Sequence, residues 1–469
     1  MALNLNQIFQ NKTTLMSQQK VLIRNAHVVF GDMPGGLHDV LIIGTRIAKI
    51  ERPGSISEIG CTKVIQAEGL HLFPGVIDTQ VHFREPGLTH KANIKTESRA
   101  AVAGGVTGYF EMPNTNPPAT TLKRLEEKYA IAAWDSVANY SFFMGTNNDN
   151  LEELKYVDPK IHCGIKIFMG SSTGGMLVDD FDYIAKIFST IPNNVQFSSH
   201  CENDVLMKSN LEQAKAQYKK EDITAKFHPI IRNADVCYTS SAQAIRVAQE
   251  TNARLHILHI STAKETALFR NDIPLEEKMI TAEVCVHHLR FTADDYERLG
   301  NAIKWNPAIK YQEDQDALWK ALLDDRFDVV CTDHAPHDWA TEKNIPYLEA
   351  MSGAPLVQHG FLSMLQAVHE HKLSARRVAE KMANNQARLF RIKDRGYIRE
   401  GYFADLVLVD MSKKYTVDKN NILYKCGWSP LEGTVFNSCI THTLVNGTIA
   451  YENGRVATNQ TGMRMEFDK

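Results

Sequence analysis

Eight times between residues 72 and 337 the chain rises into a short apolar run that ends in polar residues, and a helix-like segment follows most of these runs. The runs are LFPGVIDTQVHF, GVTGYFEMPNT, YSFFMGTN, CGIKIFMGSS, VQFSSHCEN, RLHILHIST, MITAEVCVHH and FDVVCTDHAPH. Short apolar runs bounded by turn signals and rich in β-branched and aromatic residues read as buried strands. Between them TESRAAVAGG, LKRLEEKYAIAAWDS and SSAQAIRVAQETN space their apolar residues as helices do. Eight strand–helix units imply a (β/α)8 barrel, whose functional groups gather where the strand C-termini open into loops. The polar ends of the runs collect there.

The barrel is expected over residues 71–393, longer than the ~250 residues typical of the fold. An insertion, KSNLEQAKAQYKKEDITAKFHPIIRN, accounts for part of the excess. On either side, residues 20–70 and 394–462 carry short β-rich runs broken by glycine turns, including the hairpin signal Asn446-Gly447. Two β-rich ends around one barrel suggest a small composite β-sandwich built from both termini. Residues 1–19 read as a polar extension without the apolar core of a secretory signal, and Met16 offers an alternative start.

Composition excludes several classes of partner. A formal charge of −3 over 469 residues leaves no excess of Lys and Arg for nucleic acid or a membrane surface. No apolar run approaches the ~18 residues a membrane span needs. A small-molecule substrate fits best, and a homo-oligomer is compatible with this composition. The eight cysteines are scattered with no C-x-x-C pair, so they are expected to be reduced thiols in a cytoplasmic protein.

At the barrel mouth the first strand places Asp78, Gln80 and His82 at every second position, on one face, and Arg84 follows. Lys166 comes from the fourth strand, His200 from the fifth, His259 from the sixth, and Asp333, His334 and His337 from the eighth. A single histidine at a strand end is more often a hydrogen-bonded structural residue than a ligand. Lys166, inside GIKIFMG, is harder to dismiss, because an unpaired ammonium among apolar strand residues carries a heavy desolvation cost. Captured carbon dioxide would turn its amine into a carbamate, an anion able to bridge two metals. Imidazole, carboxylate and carbamate donors together suit zinc or a similar divalent ion. His256 lies three residues before His259, so on a strand the two face opposite ways. His287 and His288 are expected to be structural, and GSSTGG (170–175) to be a flexible mouth loop.

The motifs PGVIDTQVHFREPG, MPNT, IKIFMG, SHCE, LHILHIST, VHHL, NPAIK, TDHAPH and NNQARLFRIKDRGYIREGYFADLVLVD resemble those of the dihydroorotases, cyclic amidohydrolases of the amidohydrolase superfamily. The resemblance runs from about residue 20 to about residue 460. It implies a metal-dependent barrel with a composite β-sandwich, interconverting dihydroorotate and N-carbamoyl-aspartate in pyrimidine biosynthesis.

Carried over position by position, the resemblance makes His82 a ligand of a buried α-metal, His200 and His259 ligands of a β-metal, and carboxylated Lys166 their bridge. Asp333 would touch the α-metal and serve as general base and acid. Arg84, Asn114 and His337 would hold the substrate carboxylate, and Asn306 would contact the pyrimidine ring. The SGAPLVQ stretch departs from the family wording, so nothing is carried over from it.

The departure inside the site is Gln80, which stands where the family has histidine. Its amide oxygen can still coordinate, but more weakly, so one firmly held and one labile zinc are expected. Three readings follow: an active dihydroorotase, a cyclic amidohydrolase for another ring (hydantoinase, dihydropyrimidinase or allantoinase), or a non-catalytic scaffold. Against the scaffold stands the retention of Lys166, His200, His259 and Asp333.

Overall fold

The computed structural model describes residues 19–170, 175–458 and 462–469. Residues 1–18 of the polar extension and 171–174 of the GSSTGG loop lie outside the described residues. Near the N-terminus β1 (Lys20–Val28) pairs antiparallel with β2 (Gly36–Ile43), and β2 with β3 (Arg46–Glu51). β4 (Lys63–Gln66) and β5 (His71–Pro74) both run parallel to β1. The far end of the chain completes this sheet. Leu406–Asp410 pairs with β5, Cys439–Val445 with Leu406–Asp410, and Thr448–Glu452 and Arg455–Val456 extend the edge, giving nine strands. Asn446 and Gly447 form the two-residue turn, with φ of 51° and 75°, between Val445 and its partner Thr448.

The barrel strands follow. They are β6 (Val76–Val81), β7 (Val106–Glu111), β8 (Asn139–Phe142) continuing as β9 (Met144–Gly145), β10 (Ile165–Phe168), β11 (Gln196–His200), β12 (Arg254–Ile257), β13 (Ile280–Cys285) and β14 (Val329–Cys331). Neighbours pair in parallel, and a bridge from Val81 to His334 joins the eighth stave to the first. The eightfold alternation read from the sequence is therefore present. One boundary differs: His71–Pro74 pairs within the terminal sheet, so the barrel's own strands begin at Val76. The periodic segments form helices Ile94–Ala103, Leu122–Asp135 and Ala234–Glu250. Each starts at a side chain that accepts a backbone N–H (Asn93, Thr121, Asn233), which satisfies a donor the first turn leaves open. The insertion adds helix Asp204–Gln217 and three short turns before Ala234.

Strand period 2 decides how the two parts join. Leu406 and Leu408 face the core of the terminal sheet with Val21, Ile23 and Leu444, while Val407 and Val409 face the barrel with Phe73 and Phe361. A buried polar tie crosses the same seam. Arg395 donates to Asp405 and to Asn446, and Asn139 of β8 donates to Asp405 Oδ2 at 3.1 Å. The C-terminal residues pack back onto the barrel, where Phe467 joins Phe110, Phe143 and Phe390 in one cluster. Arg464 clamps this tail through two hydrogen bonds to Glu126. Among the described residues no helix is long and apolar enough to cross a membrane.

Candidate active site

Chain geometry turns the key side chains into the mouth. Gln80 is on β6, Lys166 on β10 and His200 at the end of β11. Arg84, His259 and Asp333 each sit just past a strand with positive φ, at 68°, 41° and 47°. Non-glycine residues seldom adopt that backbone, and it swings each side chain off the strand line. One cavity of about 270 Å³ is lined by Gln80, His82, Arg84, Asn114, Lys166, His200, His259, Asn306, Asp333 and His337, whereas Asp78, bonded by Thr332, and His334, 2.9 Å from Glu97, do not line it.

His256 does not reach that cavity. β12 ends at Ile257, and His256 is buried inside the barrel against Thr281 and Glu283, with Nε2 3.2 Å from Glu283 Oε2. The two histidines thus differ in depth, because the chain leaves the strand before His259.

Whether these residues fit a metal can be read from how the rings are held. His82 Nδ1 lies 2.8 Å from Asn114 Oδ1, an acceptor, which leaves Nε2 as a lone pair facing the mouth. His200 Nε2 lies 2.9 Å from Glu202 Oε2, itself fixed by Arg232, so its Nδ1 lone pair faces inward, 2.9 Å from His259 Nε2. Rings anchored by an acceptor on the outer nitrogen and presenting the inner one are arranged as metal ligands are. Burial pushes the His82 and His259 rings well below their ordinary range and lowers His200 as well, keeping imidazole neutral, the form that ligates. The donor set fits a divalent ion.

Lys166 is buried, and among the described residues it makes no ion pair; its Nζ lies over the Phe168 ring at 4.6 Å. Burial pulls its amine down to about 7 against the pull of Glu283 and Asp333. An amine about half neutral at pH 7 offers a nucleophile that can take up carbon dioxide. Asp333 Oδ1 is 3.3 Å from His82 Nε2 and accepts from Gln80 Nε2 at 3.2 Å. Burial and the Glu283 charge push its carboxyl well above the usual range, a shift a neighbouring cation would reverse. Gln80 therefore touches the Asp333 carboxylate on the side where His82 also approaches.

Arg84 is the least explained charge in the cavity. Its Nε donates to the Pro336 carbonyl at 3.2 Å and its Nη2 lies 3.0 Å from His337 Nε2. Glu85 does not pair with it; that carboxylate accepts from the Ile94 N–H instead. Among the described residues no carboxylate lies within ion-pair distance of this guanidinium. Asn306 Oδ1 is likewise buried without a partner.

Two supporting residues were not visible in the sequence. Lys91 Nζ bonds Glu342 Oε1 at 2.6 Å and lies 3.2 Å from His337 Nδ1, while Glu342 Oε2 is 3.3 Å from the same nitrogen. They meet only because the loop after β14 folds over the mouth. A buried lysine needs a nearby anion, and that was the one signal available for Lys91. Trp305 also walls the cavity, with Nε1 3.4 Å from the Asp333 carbonyl.

The Amidohydrolase family model matches residues 71–450. The chain belongs to the amidohydrolase family. It is a hydrolase acting on cyclic amides. It is 31% identical over 463 residues to an allantoinase of Desulfitobacterium hafniense, covering 96% of this chain and 99% of that one. A dihydroorotase of Halobacterium salinarum is 32% identical over 391 residues, 82% of this chain and 87% of its own. The L-hydantoinase of Arthrobacter aurescens matches its fold with a TM-score of 0.88 at 26% identity, over 95% of this chain and 99% of that one. Proteins named for three different rings are thus similar to this chain.

Proposed function

We propose that this amidohydrolase is a dihydroorotase, interconverting dihydroorotate and N-carbamoyl-aspartate in cytoplasmic pyrimidine biosynthesis. The observation that carries the choice of ring is Arg84, an unpaired guanidinium in the wall of the cavity. Dihydroorotate bears a ring carboxylate, which a guanidinium can grip through two parallel hydrogen bonds. Allantoin and simple hydantoins bring no carboxylate there.

The residues take the following parts. His82, Gln80 and Asp333 would hold one zinc, His200 and His259 a second, and Lys166 as a carbamate would bridge them. Bound metal supplies a Lewis acid for the ring carbonyl and a water of lowered pKa. Asp333 takes the proton of the attacking water and returns it to the leaving ring nitrogen, so one group serves both directions. Arg84 and His337 hold the carboxylate. Asn114 joins them through its amide N–H, since its oxygen is already engaged by His82. Asn306 offers its unpartnered oxygen to a ring N–H. Trp305 shields the reacting face from bulk water.

Gln80 weakens only the first metal position, because the pair His200 and His259 is intact. Assay of ring opening with dihydroorotate and of ring closure with N-carbamoyl-aspartate, alongside allantoin and hydantoin, tests the proposal. Turnover of dihydroorotate in both directions supports it, and turnover of allantoin or hydantoin without dihydroorotate overturns it.

A further inference from the structure

Behind the Trp305 wall of the cavity lies a second group of metal-type donors with no part in the chemistry above. Cys285, the last residue of β13, is followed at once by His287 and His288 in the short helix Val286–Arg290. All three are buried, and one donor atom from each lies within 4.8 Å of the other two. The His287 ring stacks on the Trp305 indole, centroids 4.2 Å apart and 5° from parallel.

The hydrogen-bond inventory of the two rings is incomplete. His288 Nε2 lies 3.2 Å from the Pro307 carbonyl, which fixes the proton there and leaves Nδ1 as a buried lone pair with no partner among the described residues. Neither His287 nitrogen makes a hydrogen bond of ordinary geometry, although the Thr332 carbonyl stands near the ring. A buried polar atom left unsatisfied costs about 1–3 kcal/mol. Each ring therefore stands beside a backbone carbonyl and has a buried nitrogen with no hydrogen-bond partner among the described residues, the arrangement in which histidines ligate metals. Among the described residues the Cys285 thiol makes long sulfur contacts, 3.6 Å to Gln80 Oε1 and 3.8 Å to Glu283 Oε1.

We propose that Cys285, His287 and His288 form a separate site for a borderline-soft divalent cation such as zinc, distinct from the catalytic position. Zn–S bonds of about 2.3 Å and Zn–N bonds of about 2.0 Å set donor separations near 3.5 Å, so the trio closes by roughly 1 Å on binding. The thiol gives up its proton to solvent as the ion binds, and the two imidazoles are already neutral. Bound there, the ion ties the end of β13 to the Trp305 wall.

Cobalt(II) distinguishes this site from the catalytic one, because the proposed catalytic ligands include no sulfur. Chelator-stripped protein titrated with cobalt(II) should develop a thiolate-to-metal charge-transfer absorption that saturates. Cys285→Ser should abolish it, and His287→Gln and His288→Gln should each weaken the binding that produces it at least tenfold. Cys201→Ser, next to His200, should leave it unchanged. Absence of the absorption, or its survival in Cys285→Ser, overturns the proposal. An absorption that requires Cys285 but ignores both histidine substitutions places the thiolate on a catalytic ion and overturns it equally. Should a variant fail to fold, X-ray absorption of cobalt-loaded His259→Asn, whose catalytic position has lost a ligand, decides: a sulfur neighbour together with two imidazoles supports the site, and a shell of nitrogen and oxygen alone overturns it.

Discussion

Arg84 and His337 stand side by side in the mouth, guanidinium Nη2 3.0 Å from imidazole Nε2, and a backbone carbonyl holds the arginine from the other side. Arg84 lines the cavity, and among the described residues no carboxylate pairs with it. Arg84→Lys keeps the charge and loses the fork. Steady-state kinetics should show kcat/KM for dihydroorotate falling at least tenfold, which is about 1.4 kcal/mol. Unchanged kinetics would remove Arg84 from substrate recognition.

Glu342 acts on substrate only through its neighbours. Burial alone would raise its carboxyl, but the bonds from His337 and Lys91 win and hold it well below the usual range. A carboxylate depressed in this way contributes stability above its unfolded pKa of about 4.3 and loses it only as pH falls through the folded value, so the clamp persists across the neutral range. Glu342→Gln should therefore raise KM for dihydroorotate several-fold from about pH 6 to about pH 9 while kcat changes less. A fall in kcat with KM intact would contradict a positioning role.

Lys166→Ala should lose bound metal and activity together, and a small carboxylic acid should restore part of both by standing in for the carbamate. Elemental analysis and assay on the same sample check this. An alanine variant that keeps its metal and its rate would take Lys166 out of the site.

Gln80 contacts Asp333 at 3.2 Å, on the side where His82 approaches. Gln80→His should raise metal content towards two per chain in dilute-metal buffer, whether or not the rate improves, because neighbours shaped around an amide hold a new ring poorly. Gln80→Ala should lower occupancy while the His200–His259 position stays filled. Equal metal content in all three proteins after limited chelation would show that Gln80 is not a ligand.

The strand pattern was legible because each stave is a short apolar run with a polar end, and the mouth residues lie at those ends. Gln80, Lys166 and His200 could be placed from the strand register alone, whereas Asp333 lies past the end of β14 at positive φ. His259 was chosen over His256 only by resemblance, since the register does not say where β12 stops. Lys91 and Glu342 were hidden because their partnership depends on a loop folding across the mouth, more than 240 residues apart. The barrel's start was placed at residue 71 rather than Val76 for a related reason: an apolar strand looks the same whether it enters a barrel or an adjoining sheet.

The C-terminal tail shows the same limit. Phe467 is buried against Phe110 and Phe390, yet its sequence surroundings, RMEFDK, give no sign of it. Phe467→Ala should cost about 3–5 kcal/mol, the usual loss for a buried phenylalanine, and lower the melting temperature. A melting temperature unchanged within error would mean that the tail does not hold the barrel.

The central claim, that Arg84 reads a carboxylate on the ring, is tested most directly by one ratio. Dihydrouracil is the dihydroorotate ring without its carboxylate, so kcat/KM for the two substrates should be compared in the parent and in Arg84→Met. The parent should prefer dihydroorotate by at least tenfold, the worth of a charge-assisted hydrogen bond of about 1.5–3 kcal/mol, and Arg84→Met should bring the ratio close to one by losing dihydroorotate. A parent that favours dihydrouracil, or a preference for dihydroorotate that survives Arg84→Met, would contradict the claim.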